Sequence, residues 1–234
     1  MTNVNQDDIF ANYEGDNWFK RNQKAVKQRV LENDLPLKIM NLYNLKPKKV
    51  LEIGGANGYR LAAIREKYGT ERLTVVEPSK MAIQEGQLLY PFIEFIQGLA
   101  HDTILEEKFD LIILHGVFHW VGRSNLLLSV ANIDRLLEDL GFLIIGDFLP
   151  ANRCRVPYHH LPVNQVYTYK QNYTEPFLSS GLYRTVCMLT YDHSTEKMVA
   201  DIDGMNCFGA FLLQKTMSMG YLDYTFVVET KENE

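Results

Sequence analysis

The sequence predicts an α/β protein built on a doubly wound, mostly parallel sheet with helices on both faces. Three observations lead there. A short apolar run closes on a glycine turn and gives way to helical spacing: Lys49 to Gly58 read KVLEIGGANG, and Tyr59 to Tyr68 place Leu61, Ala62 and Ile64 on one side of a helix. Strand-like and helix-like stretches then alternate regularly as far as Asp147. The run Phe109-Asp110-Leu111-Ile112-Ile113-Leu114 is apolar almost throughout, as a strand paired on both edges and covered on both faces should be.

Taken in order, Met1 to Asn12 are polar and read as loosely ordered. Asp16 reads as the cap of a helix from Asn17 to about Leu31, with Trp18, Phe19, Val26, Val30 and Leu31 apolar. A further helix, Leu35 to Leu45, stops at Lys46-Pro47. The first strand ends at Gly54-Gly55, a turn that lets backbone approach a ligand and aims the N–H groups of the next helix at it. Leu73 to Val76 form the second strand and end in Glu77, placed to accept both hydroxyls of a ribose. Ser79 caps a helix from Lys80 to Leu89, and Glu94 to Gln97 are the third strand. After the fourth, Asn125 to Leu137 are an amphipathic helix ending before a Gly141 cap, and Gly141 to Asp147 are the fifth strand.

The bulk numbers bound the function. At 234 residues, 46% hydrophobic, the chain has the material for one sizeable core. Its net charge of −5 disfavours a general nucleic-acid or membrane-surface binder. Cys154, Cys187 and Cys207 are widely spaced, so no metal site and no disulfide framework is expected. The polar N-terminus does not read as a signal peptide, and no apolar run approaches spanning length, so a cytoplasmic protein with no membrane partner is expected.

The LEIGGANG string resembles the first motif of class I S-adenosylmethionine (SAM)-dependent methyltransferases, (V/L)-L-(D/E)-(I/L)-G-x-G-x-G, with Ala56 where the middle glycine is commonest. The resemblance runs from about Leu42 to Lys215. A dinucleotide site would instead want a third glycine where Tyr59 stands, which disfavours a nicotinamide-dependent oxidoreductase. Family architecture implies a seven-stranded sheet with a terminal antiparallel strand, supplied by the runs Thr185 to Tyr191 and Phe208 to Gln214. It implies SAM as cofactor, with Glu52, Gly54, Ala56, Asn57 and Gly58 around the first turn. Glu77, Pro78 and Ser79 would serve the ribose and adenine. The segment Gly98-Leu99-Ala100-His101-Asp102 stands at the second motif, often G-D-A. Ala100 fits through its backbone, whereas Leu99 replaces the aspartate, leaving Asp102 or a carbonyl to meet the adenine amine. His115-Gly116-Val117-Phe118-His119-Trp120-Val121 is similar to the motif after the fourth strand, which puts His115 near the methionine end or the transferred methyl. His119 would pack beside the cofactor or cap the next helix, with direct chemistry the lesser alternative, and Trp120 reads as core. The family's N-terminal segments often fold over the cofactor, so residues 1–46 read either as a lid using Tyr13, Trp18 and Phe19 or as helices on the domain edge, with 47–234 the methyltransferase domain.

An insertion at about 148–172 reads FLPANRCRVPYHHLPVNQVYTYKQN. It follows a strand whose carboxyl end faces the cofactor, and Pro150, Pro157 and Pro162 limit regular structure. Long connections inside compact domains tend to be functional, which favours a substrate cap over an ordinary solvated loop. Arg155 and Lys170 would grip an anion while Tyr158 and Tyr169 stack on a ring. P-Y-H-H and T-Y-K are similar to segments of bacterial methyltransferases associated with surface-polysaccharide biosynthesis. A histidine base, His159, His160 or His115 in that order, would suit O-methylation. The acceptor expected is a small anionic molecule such as a nucleotide-linked or phosphorylated sugar. A small carboxylic acid and a non-catalytic SAM-binding protein are the alternatives. The tail carries a strand-like YTFVVET run that would pair with a sheet edge or support a homodimer.

Overall fold

The computed structural model describes residues 5–29, 31–161, 166–195, 197–200 and 204–221. Val30, Pro162 and the YTFVVET run lie outside the described residues.

The chain opens with α1 (Gln6–Ile9), one π-helical turn over Phe10–Glu14, and α2 (Gly15–Lys27), followed by α3 (Leu35–Leu42). Residues 6–12 are therefore helical rather than loose. Their polar side chains find backbone partners: Gln6 Nε2 donates to the carbonyls of Trp120 and Tyr167, and Asp7 accepts from the Gly122 N–H at 2.7 Å. Asp16 lies inside α2 and does not cap it, because its carboxylate instead accepts from Ser79 Oγ and the Met81 N–H. Asp34 caps α3 by accepting from the Leu37 N–H.

The Rossmann-like alternation follows as β1 (Lys49–Ile53), α4 (Tyr59–Tyr68), β2 (Arg72–Glu77), α5 (Lys80–Leu89), β3 (Glu94–Gln97), β4 (Phe109–His115), α6 (Leu126–Leu136) and β5 (Leu137–Phe148). Helix α6 ends at Leu136, one residue before the expected Leu137, with Leu137 rather than Gly141 as its cap. Leu137 pairs with Phe109 across a bulge, so tertiary pairing converts the polar stretch before Gly141 into strand. The insertion holds a hairpin, β6 (Cys154–Pro157) against β7 (Tyr167–Lys170), more regular than its prolines suggested; Pro157 fits at the last residue of β6. Then come α7 (Glu175–Leu178), β8 (Tyr183–Asp192) and β9 (Cys207–Lys215).

The seven-stranded sheet has the order β3-β2-β1-β4-β5-β9-β8, with β9 antiparallel to both neighbours and all other pairings parallel. Alternation along β1 splits the core in two. Leu51 and Ile53 face α6 and α7 with Phe109, Leu114 and Phe177, whereas Val50 faces α3 and α4 with Ile39, Leu61 and Ile64. Truncating one of these fully buried side chains, such as Phe109→Ala, costs about 3–5 kcal/mol. Glu52 shares the Val50 face, so a carboxylate is carried under the turn that follows.

Candidate active site

The site is assembled where the carboxyl ends of β1, β2, β4 and β5 meet the N-terminal helices, the place where open α/β sheets bind ligands. The turn after β1 needs left-handed backbone: Gly54 has φ +72°, Ala56 +50° and Gly58 +80°. Ala56 thus bears the strain of a conformation that glycine adopts freely, of order 1 kcal/mol. Gly58 caps α4 and exposes the helix N-terminus.

Glu77, closing β2, turns both carboxylate oxygens to backbone. Oε2 accepts from the Ala56 N–H at 2.9 Å and Oε1 from the Ser79 N–H at 3.0 Å. Each oxygen keeps a lone pair for a further donor. Burial pushes the Glu77 carboxyl up to about 7, against those two N–H groups, which favour the charged form. Asn57 is buried and ties Nδ2 to Glu85, leaving Oδ1 enclosed without a partner. Glu52 Oε2 and His115 Nδ1 are likewise enclosed and unpartnered. Burial, with Arg60 adding, drives the His115 imidazole down to about 3, so the ring is neutral at ordinary pH. Gly146, its neighbour on β5, leaves room for it: a Cβ there would come within 2.2 Å of Nδ1.

Helix α2 covers this end. Phe19 packs on Ala56 and Ala82, with Trp18 and Met81 alongside, while Tyr13 is largely exposed. Pro78 and Ser79 run beneath Gly15, whose own Cβ, if present, would lie 3.3 Å from the Ser79 N. Ala100 is buried in the core and its carbonyl accepts from Asn132, while Asp102 accepts from the Leu99 N–H.

Sequence reasoning did not foresee the partner of His119. His119, on a 3₁₀ turn after β4, and Asp147, near the end of β5, are both buried, and Nδ1 of the former donates to Oδ1 of the latter at 2.9 Å. Because a carboxylate only accepts, this bond fixes the tautomer and leaves the lone pair on Nε2. His119 Cε1 faces Gly116, the residue after β4. Trp120 is half-buried at a junction, packed on Phe10 and Tyr158, rather than in the central core.

The insertion's residues divide. Tyr158 is buried, donating its hydroxyl to Glu14 at 2.7 Å while Arg21 donates to both. Lys170 is buried, over the Phe148 ring and bonded to the Met205 carbonyl, and burial lowers its pKa. Tyr169 lies under Arg123, and Arg155, exposed, lies over Tyr167. His159 and His160 are exposed beside Tyr158, their rings 3.9 Å apart. Among the described residues no group of His, Cys, Asp and Glu is arranged to hold a metal, and no helix is long and apolar enough to cross a membrane.

Residues 51–143 match a family model described as a methyltransferase domain. That stretch, about two fifths of the chain, is similar to methyltransferase domains. The chain's fold is shared with Burkholderia thailandensis 1,6-didemethyltoxoflavin-N1-methyltransferase, solved with 1,6-didemethyltoxoflavin and S-adenosylhomocysteine. That alignment has TM-score 0.67 and 15% identity over 90% of each chain. A TehB-like SAM-dependent methyltransferase from Corynebacterium glutamicum gives 0.61 and 16% over 87% of this chain and 98% of that one. The N-methyltransferase NodS from Bradyrhizobium japonicum, solved with S-adenosyl-L-homocysteine, gives 0.57 and 16% over 79% and 86%. At such identities the likeness establishes the fold. A search of curated proteins finds no match. In this fold the first-turn residues, Glu77-Pro78-Ser79 and His115 come together at one end of the sheet. Arg155, His159 and His160 stand apart from them at the surface.

Proposed function

We propose that the protein transfers the methyl group of SAM to a hydroxyl of a small molecule. One observation carries the reading: Glu77 closes β2 with its carboxylate clasped to the turn after β1, each oxygen able to accept one hydroxyl of a ribose diol. The enclosed, unpartnered oxygens of Glu52 and Asn57 support it, because buried polar atoms at the turn after β1 call for a polar partner. The cofactor supplies an already activated sulfonium methyl, so the protein's tasks are alignment and removal of a proton.

For that proton, His119 is proposed as the base, ahead of His159, His160 and the acid-shifted His115. Asp147 holds its ring in the tautomer that presents a lone pair, and the pair stands at the carboxyl ends of β4 and β5. A base is needed for a hydroxyl and not for a carboxylate, which favours O-methylation over methylation of a small carboxylic acid. The acceptor proposed is a small anionic molecule, such as a nucleotide-linked or phosphorylated sugar, with exposed Arg155 as the phosphate-facing cation and Tyr169 as a ring contact. In this reading the N-terminal helices act as a lid and the 148–172 insertion as the acceptor cap.

Calorimetric titration with S-adenosylhomocysteine beside NAD tests the cofactor class. Micromolar binding of the former alone is expected, and stabilisation by NAD alone would overturn it. Methyl-labelled SAM with nucleotide-sugars and small acids then tests the acceptor.

A further inference from the structure

His119 stands on a 3₁₀ turn over Phe118–Trp120, too short to satisfy the backbone groups at its outer side, and side chains satisfy them instead. Arg123 Nη2 donates to the Phe118 carbonyl at 2.8 Å and to the Val121 carbonyl at 2.6 Å. Gln6 Nε2 donates to the Trp120 carbonyl at 2.6 Å, and Asp7 Oδ1 accepts from the Gly122 N–H at 2.7 Å. A Cβ on Gly122 would lie 2.5 Å from Asp7 Oδ2, so the absence of one lets α1 come this close. Two consecutive residues of α1 therefore grip the turn on either side of Val121.

Gln6 also reaches β7. Across the hairpin the Tyr158 N–H donates to the Val166 carbonyl, and alternation then turns the N–H and carbonyl of Tyr167 away from β6. Gln6 Oε1 accepts from that N–H and Nε2 donates to that carbonyl, each at 3.0 Å. The amide takes the place of a strand residue at this edge. Its partners fix its orientation, since two carbonyls require the NH₂ and one N–H requires the oxygen. For packing alone an apolar side chain would serve, because Ile9 and Phe10, further along the chain, already pack with Tyr158 and Trp120. What the buried amide adds is register between the Trp120 backbone and β7.

We propose that Gln6 is a positioning residue for His119, joining the Trp120 carbonyl to Tyr167 so that the turn holds the imidazole against Asp147. The inference rests on the reading of His119 as the base. Asp147 fixes the histidine from within the fold, through the ring at 2.9 Å and the backbone N–H at 3.2 Å. The next residue is fixed from outside by Gln6, so the peptide between them cannot swing and carry the ring off its carboxylate. Because the same amide is seated on β7, the base and the 148–172 cap share one joint, and α1 supplies it.

Nitrogen NMR of the full chain carrying labelled histidine tests this without an acceptor, with His119 assigned by the signals lost in His119→Ala. Wild-type His119 should show the tautomer with hydrogen on Nδ1. Gln6→Met keeps the side-chain length and removes the three bonds. In that variant the ratio of this tautomer to the other should fall at least about fivefold, the scale of one hydrogen bond. Ile9→Val loosens α1 without touching the backbone of the turn and should leave the ratio within about twofold. An unchanged ratio in Gln6→Met, or an equal fall in Ile9→Val, overturns the positioning role and leaves the base reading standing. A wild-type ring with hydrogen on Nε2 overturns the base reading, and the inference with it. Thermal melts report whether Gln6→Met folds. If it does not, Gln6→Asn, whose amide falls one methylene short of the Trp120 carbonyl, should give the same fall, and an unchanged ratio there overturns the role.

Discussion

His119 Nδ1 donates to Asp147 Oδ1 at 2.9 Å, and the backbone N–H of the same histidine donates to Oδ2 at 3.2 Å. The second bond holds the carboxylate in the plane the first requires. Asp147→Asn keeps the size but lets the amide donate, which reverses the preferred tautomer. Turnover of methyl-labelled SAM should fall about 10²–10⁴-fold in Asp147→Asn and His119→Ala, with S-adenosylhomocysteine affinity unchanged. Undiminished turnover in both would move the base elsewhere or dispense with it.

Glu77 predicts the pH dependence of cofactor binding. Its folded-state pKa of about 7 stands above the ordinary 4.5. Ribose hydroxyls donate to the charged form, so affinity should be full above pH 7 and fall by up to about tenfold per unit below it. The same shift adds stability below pH 4.5 that is lost as pH rises through 7, on the order of 3 kcal/mol. Calorimetric titrations of wild type and Glu77→Gln from pH 5.5 to 8.5 check the affinity, the variant being weaker by about 1–3 kcal/mol and flat, and thermal melts from pH 4 to 8 check the stability.

Gly146 is the contact that seats His115. Alanine there would press on Nδ1 at 2.2 Å and Cε1 at 2.9 Å. Overpacking of this kind costs about 1–3 kcal/mol, so Tm should drop by about 2–12 °C in a chain of this size. Because the ring that must give way lines the ligand end of β4, affinity for S-adenosylhomocysteine should decline with it. Scanning calorimetry and titration read the two effects separately.

Tyr158 joins the insertion to the N-terminal helices through Glu14 and Arg21. Tyr158→Phe removes the hydroxyl but leaves the Glu14–Arg21 ion pair, a loss of about 1 kcal/mol. If these helices form a lid, ligand release should quicken about three- to tenfold in stopped-flow measurements, with the association rate little changed. An unaltered release rate would show that the strap does not gate the site.

The parts legible in the sequence were those written locally. The strand before the glycine turn, Glu77 at the end of β2, and the two apolar runs that became β8 and β9 each announce themselves within ten residues. The His119–Asp147 pair does not, because its halves come from different strand ends and meet only when β4 lies beside β5. The available signal was an acidic residue closing GFLIIGD, next to a strand already assigned to the ligand end. Polar residues of the first helix misled for a related reason. Gln6 and Asp7 look solvated along the chain, yet their partners are the backbone of Trp120, Tyr167 and Gly122. Strand β5 begins at Leu137, before the expected Gly141, because pairing of Leu137 with Phe109 draws the polar stretch into the sheet.

Strand β9 lies between β5 and β8, although roughly sixty residues of chain separate the end of β5 from its start. On the ribosome, the unpaired backbone edge of β5 therefore emerges well before the strand that covers it, and β8 arrives with no place in the sheet. At roughly 5–20 residues per second the open edge persists for about 3–12 s. During that interval it is a template for pairing with another nascent chain. Slower synthesis or heavy overexpression should accordingly drive this protein into aggregates through β5 in preference to any other strand.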